Sequence, residues 1–228
     1  MTNRVAVVTG GFGALGSVVA RHALDAGYRV AAVDLSPSPT QPSAGDMLCL
    51  GGVDLTDAEV AVAIMDRIAE ALGGLDVLFN VAGGFVWQTV ADGDPAIWAR
   101  MHAINLTTAL NASRAALPRL LAGGSGRIVN VGANSAVRAD AGMGAYAAAK
   151  GAVHRLTESL AVETRGRGVT VNAVLPSIID TPANRADMPD ADASGWVTPD
   201  DLAAVMLFLA SPRASAVTGA LVPVVGGL

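Results

Sequence analysis

Short apolar runs alternate with longer stretches of helical periodicity along the chain. Apolar, β-branched runs predict strands near residues 4–9, 29–34, 47–53, 76–80, 126–131, 169–175 and 220–225. Apolar positions at helical spacing predict helices between them, near residues 14–26, 57–72, 94–121, 144–165 and 198–210. Strands that alternate with helices favour an α/β fold, a doubly wound parallel sheet of about seven strands flanked by helices. Neither a linker nor a repeat interrupts the pattern, so we expect residues 1–228 to form a single domain.

Two local signals refine the predicted helices. Thr198 is a good N-cap, and Pro199 suits the first helical position, so a helix is expected to begin there. Pro118 lies inside the predicted helix over 94–121 and is expected to kink it.

The first predicted strand runs into a glycine-rich turn, Gly10-Gly11-Phe12-Gly13-Ala14-Leu15-Gly16, which leads into the first predicted helix. Strand, glycine-rich turn and helix in this order aim free backbone N–H groups at a pyrophosphate. Glycines let the main chain turn sharply and let phosphate approach closely. The alternative is an ordinary loop, but the flanking strand and helix favour a dinucleotide site.

The second predicted strand ends on Asp34, where a carboxylate can accept hydrogen bonds from an adenosine ribose. The same carboxylate would repel a 2′-phosphate. Between Asp34 and Asp46 there is no Arg or Lys to pair with such a phosphate. The sequence therefore predicts a preference for NAD(H) over NADP(H).

Tyr146 and Lys150 stand four residues apart in a predicted helix. Residues at this spacing share one helix face, one turn apart. An ammonium near a phenol favours the phenolate, so we expect Lys150 to lower the pKa of Tyr146 and make it a proton donor and acceptor near neutral pH. The same spacing also occurs by chance on helix surfaces, and the remaining motifs decide between these interpretations.

Together these segments resemble the short-chain dehydrogenase/reductase family, nearly from end to end. Thr9-Gly10-x-x-x-Ala14-x-Gly16 is similar to the family's cofactor motif, with Ala14 in place of a glycine. Further motifs follow in the family's order: Asp54 near the adenine, residues 80–83 (Asn-Val-Ala-Gly) after the fourth strand, the helix asparagine Asn105, and residues 176–181 (Pro-Ser-x-x-x-Thr) near the nicotinamide carboxamide.

The resemblance implies a Rossmann-type NAD(P)-binding catalytic domain. It implies Tyr146 as the proton donor, Lys150 as the group that lowers its pKa and orients the nicotinamide ribose, and Asn105 as the holder of a water next to Lys150. The cofactor-binding positions that it implies are Gly10, Phe12, Gly13, Ala14, Leu15, Gly16, Asp34, Leu35, Asp54, Leu55, Asn80, Ala82, Gly83, Tyr146, Lys150, Pro176, Ile179 and Thr181.

One position departs from the family. Its catalytic serine precedes the tyrosine by thirteen residues, which here is Ala133, a residue without a hydroxyl. Ser135 is a possible substitute. Dihydropteridine reductases form a branch of the family that also lacks this serine and uses NADH, and the segment Asp180-Thr181-Pro182-x-Asn184-Arg185 resembles them. This resemblance implies hydride transfer to a C=N group of a small molecule.

Two alternatives stay open. The first is a general carbonyl reductase or alcohol dehydrogenase of the same family, similar to 3-oxoacyl reductases, in which Ser135 or the backbone polarises the oxygen. The second is a non-catalytic dinucleotide-binding sensor or structural subunit, against which the intact Tyr146, Lys150 and Asn105 argue.

Composition narrows the partners and the compartment. A net charge of −5 without a basic cluster argues against nucleic acid or an anionic membrane surface as partner. The single cysteine, Cys49, permits no internal disulfide, and the first strand begins too early for a signal peptide, so we expect a cytoplasmic protein. His22, His102 and His154 share no metal-ligand spacing, and no metal is expected.

The predicted helices over 94–121 and 144–165 carry more apolar surface than one sheet face needs. The family usually pairs these helices across a two-fold axis, so the resemblance implies a homodimer or homotetramer. Trp87 and Trp196 flank the expected nicotinamide pocket in sequence, where an indole would stack on a flat ring. Core packing is the alternative for both.

Overall fold

The computed structural model describes residues 4–39 and 47–227. Its strands are β1 (Val5–Thr9), β2 (Arg29–Val33), β3 (Met47–Leu50), β4 (Val77–Asn80), β5 (Arg127–Val131), β6 (Thr170–Pro176) and β7 (Leu221–Val224). Within the described residues they form one seven-stranded parallel sheet in the order β3-β2-β1-β4-β5-β6-β7. The Rossmann-like α/β fold and the predicted strands are therefore confirmed, although β3 ends earlier than expected.

The helices are α1 (Ala14–Asp25), α2 (Ala58–Leu72), α3 (Ala96–His102), α4 (Thr108–Ala122), α5 (Gly144–Glu163), α6 (Pro182–Asp187) and α7 (Pro199–Ala210). The helical stretch predicted over 94–121 is correct in extent, but it is interrupted by a π-helical turn, Ala103–Thr107. α4 continues through Pro118, so the helix is not broken at the proline. The change in helix type lies at the π-helical turn. α6 is short and polar and was not among the predicted helices, although Thr181-Pro182 is the same N-cap and first-position pair as Thr198-Pro199.

Each face of the sheet is covered by its own apolar layer. Successive strand residues point to opposite faces, so Val7 joins the layer beneath α2 and α4 whereas Val8 joins the layer beneath α1 and α7. Met65 of α2 and Met206 of α7 are fully buried in these layers. Burying a side chain of this size stabilises the fold by about 1.5–3 kcal/mol, so both helix layers hold firmly to the sheet.

The order of the strands reverses between β1 and β4, which is where ligands bind in open α/β sheets. Thr9 pairs in register with Asn80, and Asn80 with Asn130, so the carboxyl ends of three neighbouring strands lie side by side. The loops that follow these strands therefore converge at one edge of the sheet.

A buried chain of hydrogen bonds ties the central strands to the two helices above them. The Asn80 amide donates to Ser113 Oγ of α4 at 2.9 Å and to Asn130 Oδ1 of β5 at 2.8 Å. The Asn130 amide donates to Thr157 Oγ1 of α5 at 2.8 Å. Because buried polar groups are costly unless they are paired, these bonds favour one placement of α4 and α5 on the sheet.

The start of α7 agrees with its prediction. Thr198 Oγ1 accepts a hydrogen bond from the Asp201 backbone at 3.1 Å, and Pro199 occupies the first helical position. Among the described residues, no helix has the length and apolar character that a membrane crossing requires.

Candidate active site

A cavity of about 590 Å³ opens beyond the carboxyl ends of β1, β2, β4 and β5. Its volume falls in the range of roughly 300–1,000 Å³ that is usual for small-molecule and cofactor sites. The predicted site residues that line it are Gly10, Phe12, Gly13, Ala14, Leu15, Gly16, Asp34, Leu35, Asp54, Leu55, Ala82, Gly83, Asn105, Tyr146, Lys150, Ile179 and Thr181.

Two predicted cofactor contacts, Asn80 and Pro176, are not among the residues that line the cavity. The Asn80 side chain is buried, and its amide donates to Ser113 and Asn130, so it joins strands and helices. Pro176 is buried at the end of β6, in register with Val224 of β7. Contact of these two residues with a cofactor stays a prediction. The motif spacing located both segments correctly, but spacing does not show which way a strand-end residue faces.

The glycine-rich turn has the shape that a pyrophosphate requires. Gly10 has a φ of 64°, and a Cβ there would lie 2.9 Å from the Ala82 backbone, so a larger residue does not fit. A Cβ on Gly16 would collide with the Gly10 carbonyl oxygen. The N-cap of α1, Gly13, offers no side chain to the first-turn N–H groups, which are therefore available to an anion.

Asp34 joins the glycine-rich turn to the end of β2. Its Oδ2 accepts a hydrogen bond from the Phe12 backbone at 3.0 Å, and its Oδ1 accepts one from the Ser36 backbone at 2.9 Å. The carboxylate is thereby held on the wall of the cavity. It is fixed by backbone and not by a cation, so its negative charge is not neutralised by these partners.

Asp54 lines the cavity on the far side of Asp34, after β3. Hydrogen bonds from the Thr56 hydroxyl and backbone N–H to Oδ1 hold the pKa of Asp54 below its usual value. The carboxylate is thus ionised and acts as an acceptor at neutral pH.

Lys150 is the only lysine in the chain, and it is buried. Its ammonium donates to the Val131 carbonyl oxygen at the end of β5, at 2.8 Å. A Cβ on Gly83 would lie 3.4 Å from Lys150 Nζ and 2.5 Å from Asn105 Oδ1, so the backbone of Gly83 passes between these two groups. The glycine of the predicted Asn-Val-Ala-Gly motif is therefore required by close packing.

Asn105 lies in the π-helical turn between α3 and α4. Its Oδ1 accepts from the Gly84 backbone at 3.2 Å, while its amide donates to the Gly84 and Met101 carbonyl oxygens at 3.0 Å each. Single π turns inside α-helices are frequent at functional sites. The sequence located Asn105 but contained no signal for the π turn.

Tyr146 is partly buried one turn before Lys150 and lines the same cavity. The Phe85 ring stands edge-on to the Tyr146 ring, with the centroids 5.1 Å apart and the planes at 90°. Lys150 Nζ is 6.0 Å from the centre of the Tyr146 ring, on the same side of α5.

The expected effect of Lys150 on Tyr146 is not what the structure shows. Burial raises the pKa of Tyr146 to about 12, and burial lowers the pKa of Lys150 to about 8. Desolvation of the phenolate outweighs the attraction of an ammonium that lies several ångströms away and is bonded to a carbonyl. In the protein without cofactor, the neutral phenol is thus the stable form of Tyr146 at pH 7.

Ala133 is buried, and its backbone N–H donates to His154 Nε2 at 3.3 Å. Burial lowers the pKa of His154, so the ring is neutral and can accept this bond. Ser135 lies in a short 3₁₀ turn, Asn134–Ala136, and neither Ser135 nor Ala133 is among the residues that line the cavity. A role of Ser135 in place of the family's serine stays a prediction.

Several lining residues were not singled out as site residues by the sequence: Ser36, Thr56, Val81, Gly84, Phe85, Ile104, Thr108 and Asn184. Ser36, Thr56 and Gly84 directly follow predicted site residues, so the position after a motif was the available signal for these three. Trp196 is buried, and Trp87 is exposed; neither is among the lining residues. The described residues hold no group of three or more His, Cys, Asp or Glu side chains suited to a metal ion.

Comparison with known proteins gives consistent matches. A family described as short chain dehydrogenase matches residues 4–192. The chain is 35% identical to 2-(S)-hydroxypropyl-CoM dehydrogenase 3 of Xanthobacter autotrophicus, over 100% of this chain and 97% of that protein. It is 34% identical to meso-2,3-butanediol dehydrogenase of Serratia marcescens, over 99% and 94% of the two chains.

Among solved structures, carveol dehydrogenase from Mycobacterium avium in complex with NAD is similar, with a TM-score of 0.85. Its sequence is 27% identical, and the match covers 98% of this chain and 97% of that one. The overall fold is therefore shared with a solved structure named as a dehydrogenase.

The buried Lys150 ammonium generates a prediction about stability. Below pH 8 the folded and the unfolded chain both carry this proton, so folding buries a charge and the folded state is destabilised. Between pH 8 and 10.5 the folded chain gives up the proton while the unfolded chain keeps it, so this destabilisation becomes smaller as the pH rises. Lys150→Met should therefore be more stable than the wild type at pH 7, by about 1–3 kcal/mol, with a gap that closes towards pH 9.5.

Urea unfolding of the cofactor-free proteins at pH 7, 8 and 9.5 measures this gap. Arg213→Met removes an exposed cation, and its difference from the wild type should not change with pH. A Lys150→Met gap that is equally independent of pH would contradict the lowered pKa of Lys150.

Proposed function

Because the chain belongs to the short chain dehydrogenase family, we propose that it is an NAD(H)-dependent oxidoreductase that interconverts a secondary alcohol and a ketone on a small molecule. The observation that carries the proposal is the convergence of Tyr146, Lys150 and Asn105 on the same cavity as the glycine-rich turn. The relatives named above are dehydrogenases whose names describe hydroxyl-bearing substrates. These names support a carbonyl reductase or alcohol dehydrogenase over a dihydropteridine reductase, a function that none of these relatives has in its name.

The cavity fits a nicotinamide dinucleotide, which when bound supplies or accepts a hydride. The open first-turn N–H groups of α1 would hold the pyrophosphate. Asp34 would accept hydrogen bonds from the adenosine ribose, and Asp54 would lie near the adenine. Ile179 and Thr181 would border the nicotinamide.

Tyr146 would move the proton. Its phenol is neutral at pH 7, which is the form that donates a proton to the oxygen of a ketone. Lys150, with a pKa of about 8, still carries its charge at pH 7 and would stabilise the phenolate left behind. Asn105 would hold a water near Lys150, because the Asn105 side chain and the Lys150 ammonium both lie next to Gly83.

The homodimer or homotetramer and the cytoplasmic location stay predictions. Exposed Leu110 on α4 and Val162 on α5 support a further subunit contact on this helix pair.

The proposed function is tested by turnover. Tyr146→Phe removes the phenol hydroxyl and keeps the ring, so reduction of an activated ketone by NADH should fall by roughly two to four powers of ten. NADH should still bind, which fluorescence titration measures. Turnover near the wild-type rate would show that another group moves the proton, and a wild type that binds NADH without oxidising alcohols or reducing ketones would favour the non-catalytic sensor.

Cofactor choice is tested at Asp34. The wild type should have a higher kcat/KM with NADH than with NADPH, because the 2′-phosphate would face an un-neutralised carboxylate. Asp34→Asn keeps an oxygen acceptor and removes the charge, so the ratio of the two efficiencies should fall by about tenfold. Asp54→Asn, a carboxamide exchange at the adenine end of the same cavity, should change the ratio much less. An equal or NADPH-favouring ratio in the wild type would overturn the assignment.

Ala133 favours a second candidate, reduction of a C=N group such as that of a quinonoid dihydropterin, which needs no hydroxyl to polarise oxygen. The two candidates differ in their response to Ala133→Ser. Restoring an oxygen-stabilising donor should raise ketone reduction, by up to about two powers of ten if the hydroxyl is well placed. C=N reduction should stay within about a few-fold of the wild type, because it does not use that donor. Steady-state rates on a quinonoid dihydropterin and an activated ketone, with and without the substitution, separate the candidates.

A further inference from the structure

The end of the cavity that contains Tyr146 differs chemically from the end that contains Asp34. Asp34 and Asp54 follow β2 and β3, whereas Lys150 is bonded to the end of β5, three strands away from β2 in the sheet. At about 4.8 Å per strand this separates the two ends by roughly 14 Å. The lining residues that neighbour Tyr146 are Phe85, whose ring meets the Tyr146 ring, and Ile104, which packs in the same hydrophobic cluster. Gly84 lies beside Ile104, and the loop after β6 contributes Ile179, Thr181 and Asn184 to the same cavity.

Two polar side chains of the cavity lining are bonded within their own loop. Thr181 Oγ1 accepts from the Asn184 backbone at 3.2 Å, and the Asn184 amide donates to the Ile179 carbonyl oxygen at 2.8 Å. Both bonds belong to the start of α6, so they hold this loop. Directly beside Tyr146 the lining is apolar, because the Phe85 ring contacts the Tyr146 ring and Ile104 packs in the same hydrophobic cluster as Tyr146.

Cationic side chains are scarce in the part of the cavity lining that the structure describes. Among the residues that line the cavity, Lys150 is the one with a cationic side chain, and its ammonium is bonded to the Val131 carbonyl oxygen. Arg185, next to the lining residue Asn184, forms a bidentate pair with Asp180. A carboxylate, phosphate or sulfonate next to the reacting carbon would therefore be desolvated without a partner, which is costly.

Phe85 supplies an aromatic wall beside Tyr146. Its ring meets the Tyr146 ring edge-on, and 46% of the residue is exposed although it lines the cavity. Much of the Phe85 ring surface is thus available to a ligand, and its centroid is 5.1 Å from that of the Tyr146 ring. Such a surface favours a flat or alicyclic apolar group over a hydrated one.

The wall is fixed in place by the neighbouring Trp87. The indole N–H donates to the Ala141 carbonyl oxygen at 3.1 Å, and the Gln88 backbone donates to the Gly142 carbonyl oxygen at 2.9 Å. Gly142 has a φ of 77°, and a Cβ there would collide with the indole, so the two loops pack closely just before α5. Because the segment around Phe85 is held by these bonds, the ring does not need to be ordered when a substrate binds.

We infer that the substrate is an uncharged secondary alcohol, or its ketone, with an apolar ring next to the reacting carbon, and that Phe85 is the residue that selects the ring. The inference rests on the proposed function, because it assumes that chemistry occurs at Tyr146. It adds the substrate class and assigns a specificity role to a residue outside the family's motifs.

A panel of matched alcohols tests the inference, with NAD⁺ as oxidant. The panel consists of 1-cyclohexylethanol, the open-chain 2-butanol and the anionic 3-hydroxybutyrate. In the wild type, kcat/KM for 1-cyclohexylethanol should exceed that for 2-butanol by about tenfold or more, and 3-hydroxybutyrate should be the poorest of the three.

Substitutions at Phe85 then locate the effect. Phe85→Ala should lower the cyclohexylethanol-to-butanol ratio by about tenfold, mainly through the KM of the cyclic alcohol. Phe85→Leu, which keeps an apolar side chain, should recover part of the ratio. Phe208→Ala is the matched control, because Phe208 has nearly the same exposure, 44%, and lies on α7; it should leave the ratio unchanged.

The outcomes separate the inference from the proposed function. Equal efficiency on the cyclic and open-chain alcohols, preference for 3-hydroxybutyrate, or a ratio that Phe85→Ala does not change would overturn the inference and leave the alcohol dehydrogenase intact. No turnover of any alcohol or ketone by a protein that binds NADH would overturn the proposed function itself, and the inference with it.

Discussion

The hydrogen bond from the Lys150 ammonium to the Val131 carbonyl oxygen is the constraint around which the site is arranged. It joins α5 to the carboxyl end of β5. Tyr146, one turn before Lys150 on α5, thereby lies at the cavity. The bond comes at a cost, because the ammonium is buried and its pKa falls to about 8. A buried cation is weak evidence for stability, so its retention at this position is better explained by chemistry than by folding.

The rest of the fold holds that bond in place. The hydrogen bonds from Asn80 to Asn130 and from Asn130 to Thr157 link β4, β5 and α5. The Asn105 side chain accepts from the Gly84 N–H and donates to the Gly84 carbonyl oxygen. These contacts are polar and buried, so each has few alternative partners and the elements have few alternative positions. The apolar layers on both faces supply most of the stability, whereas the polar contacts select the geometry.

The two ends of the cavity differ in the chemical groups that they offer to a ligand. Backbone N–H groups and Asp34 form an end suited to the charged and hydroxylated parts of a dinucleotide, as in many proteins with this fold. Phe85 and Ile104 form an apolar end beside Tyr146. A fold shared with many dehydrogenases does not identify a substrate, and that information lies in the variable loops around Tyr146. Ala133 belongs to the same question, since its backbone is bonded to His154 and no hydroxyl stands in the family's place.

The sequence by itself determined the fold class, the seven strands and the line of motifs, because buried parallel strands and glycine turns leave local patterns that need no knowledge of distant contacts. The tertiary structure decided what depends on direction and environment. In the tertiary structure the Asn80 side chain bonds a neighbouring strand, Asn105 lies in a π turn, and the Phe85 ring packs edge-on against the Tyr146 ring. The tertiary structure also reversed the expected pKa of Tyr146, because desolvation depends on everything packed around a phenol, whereas the spacing to Lys150 records only one neighbour.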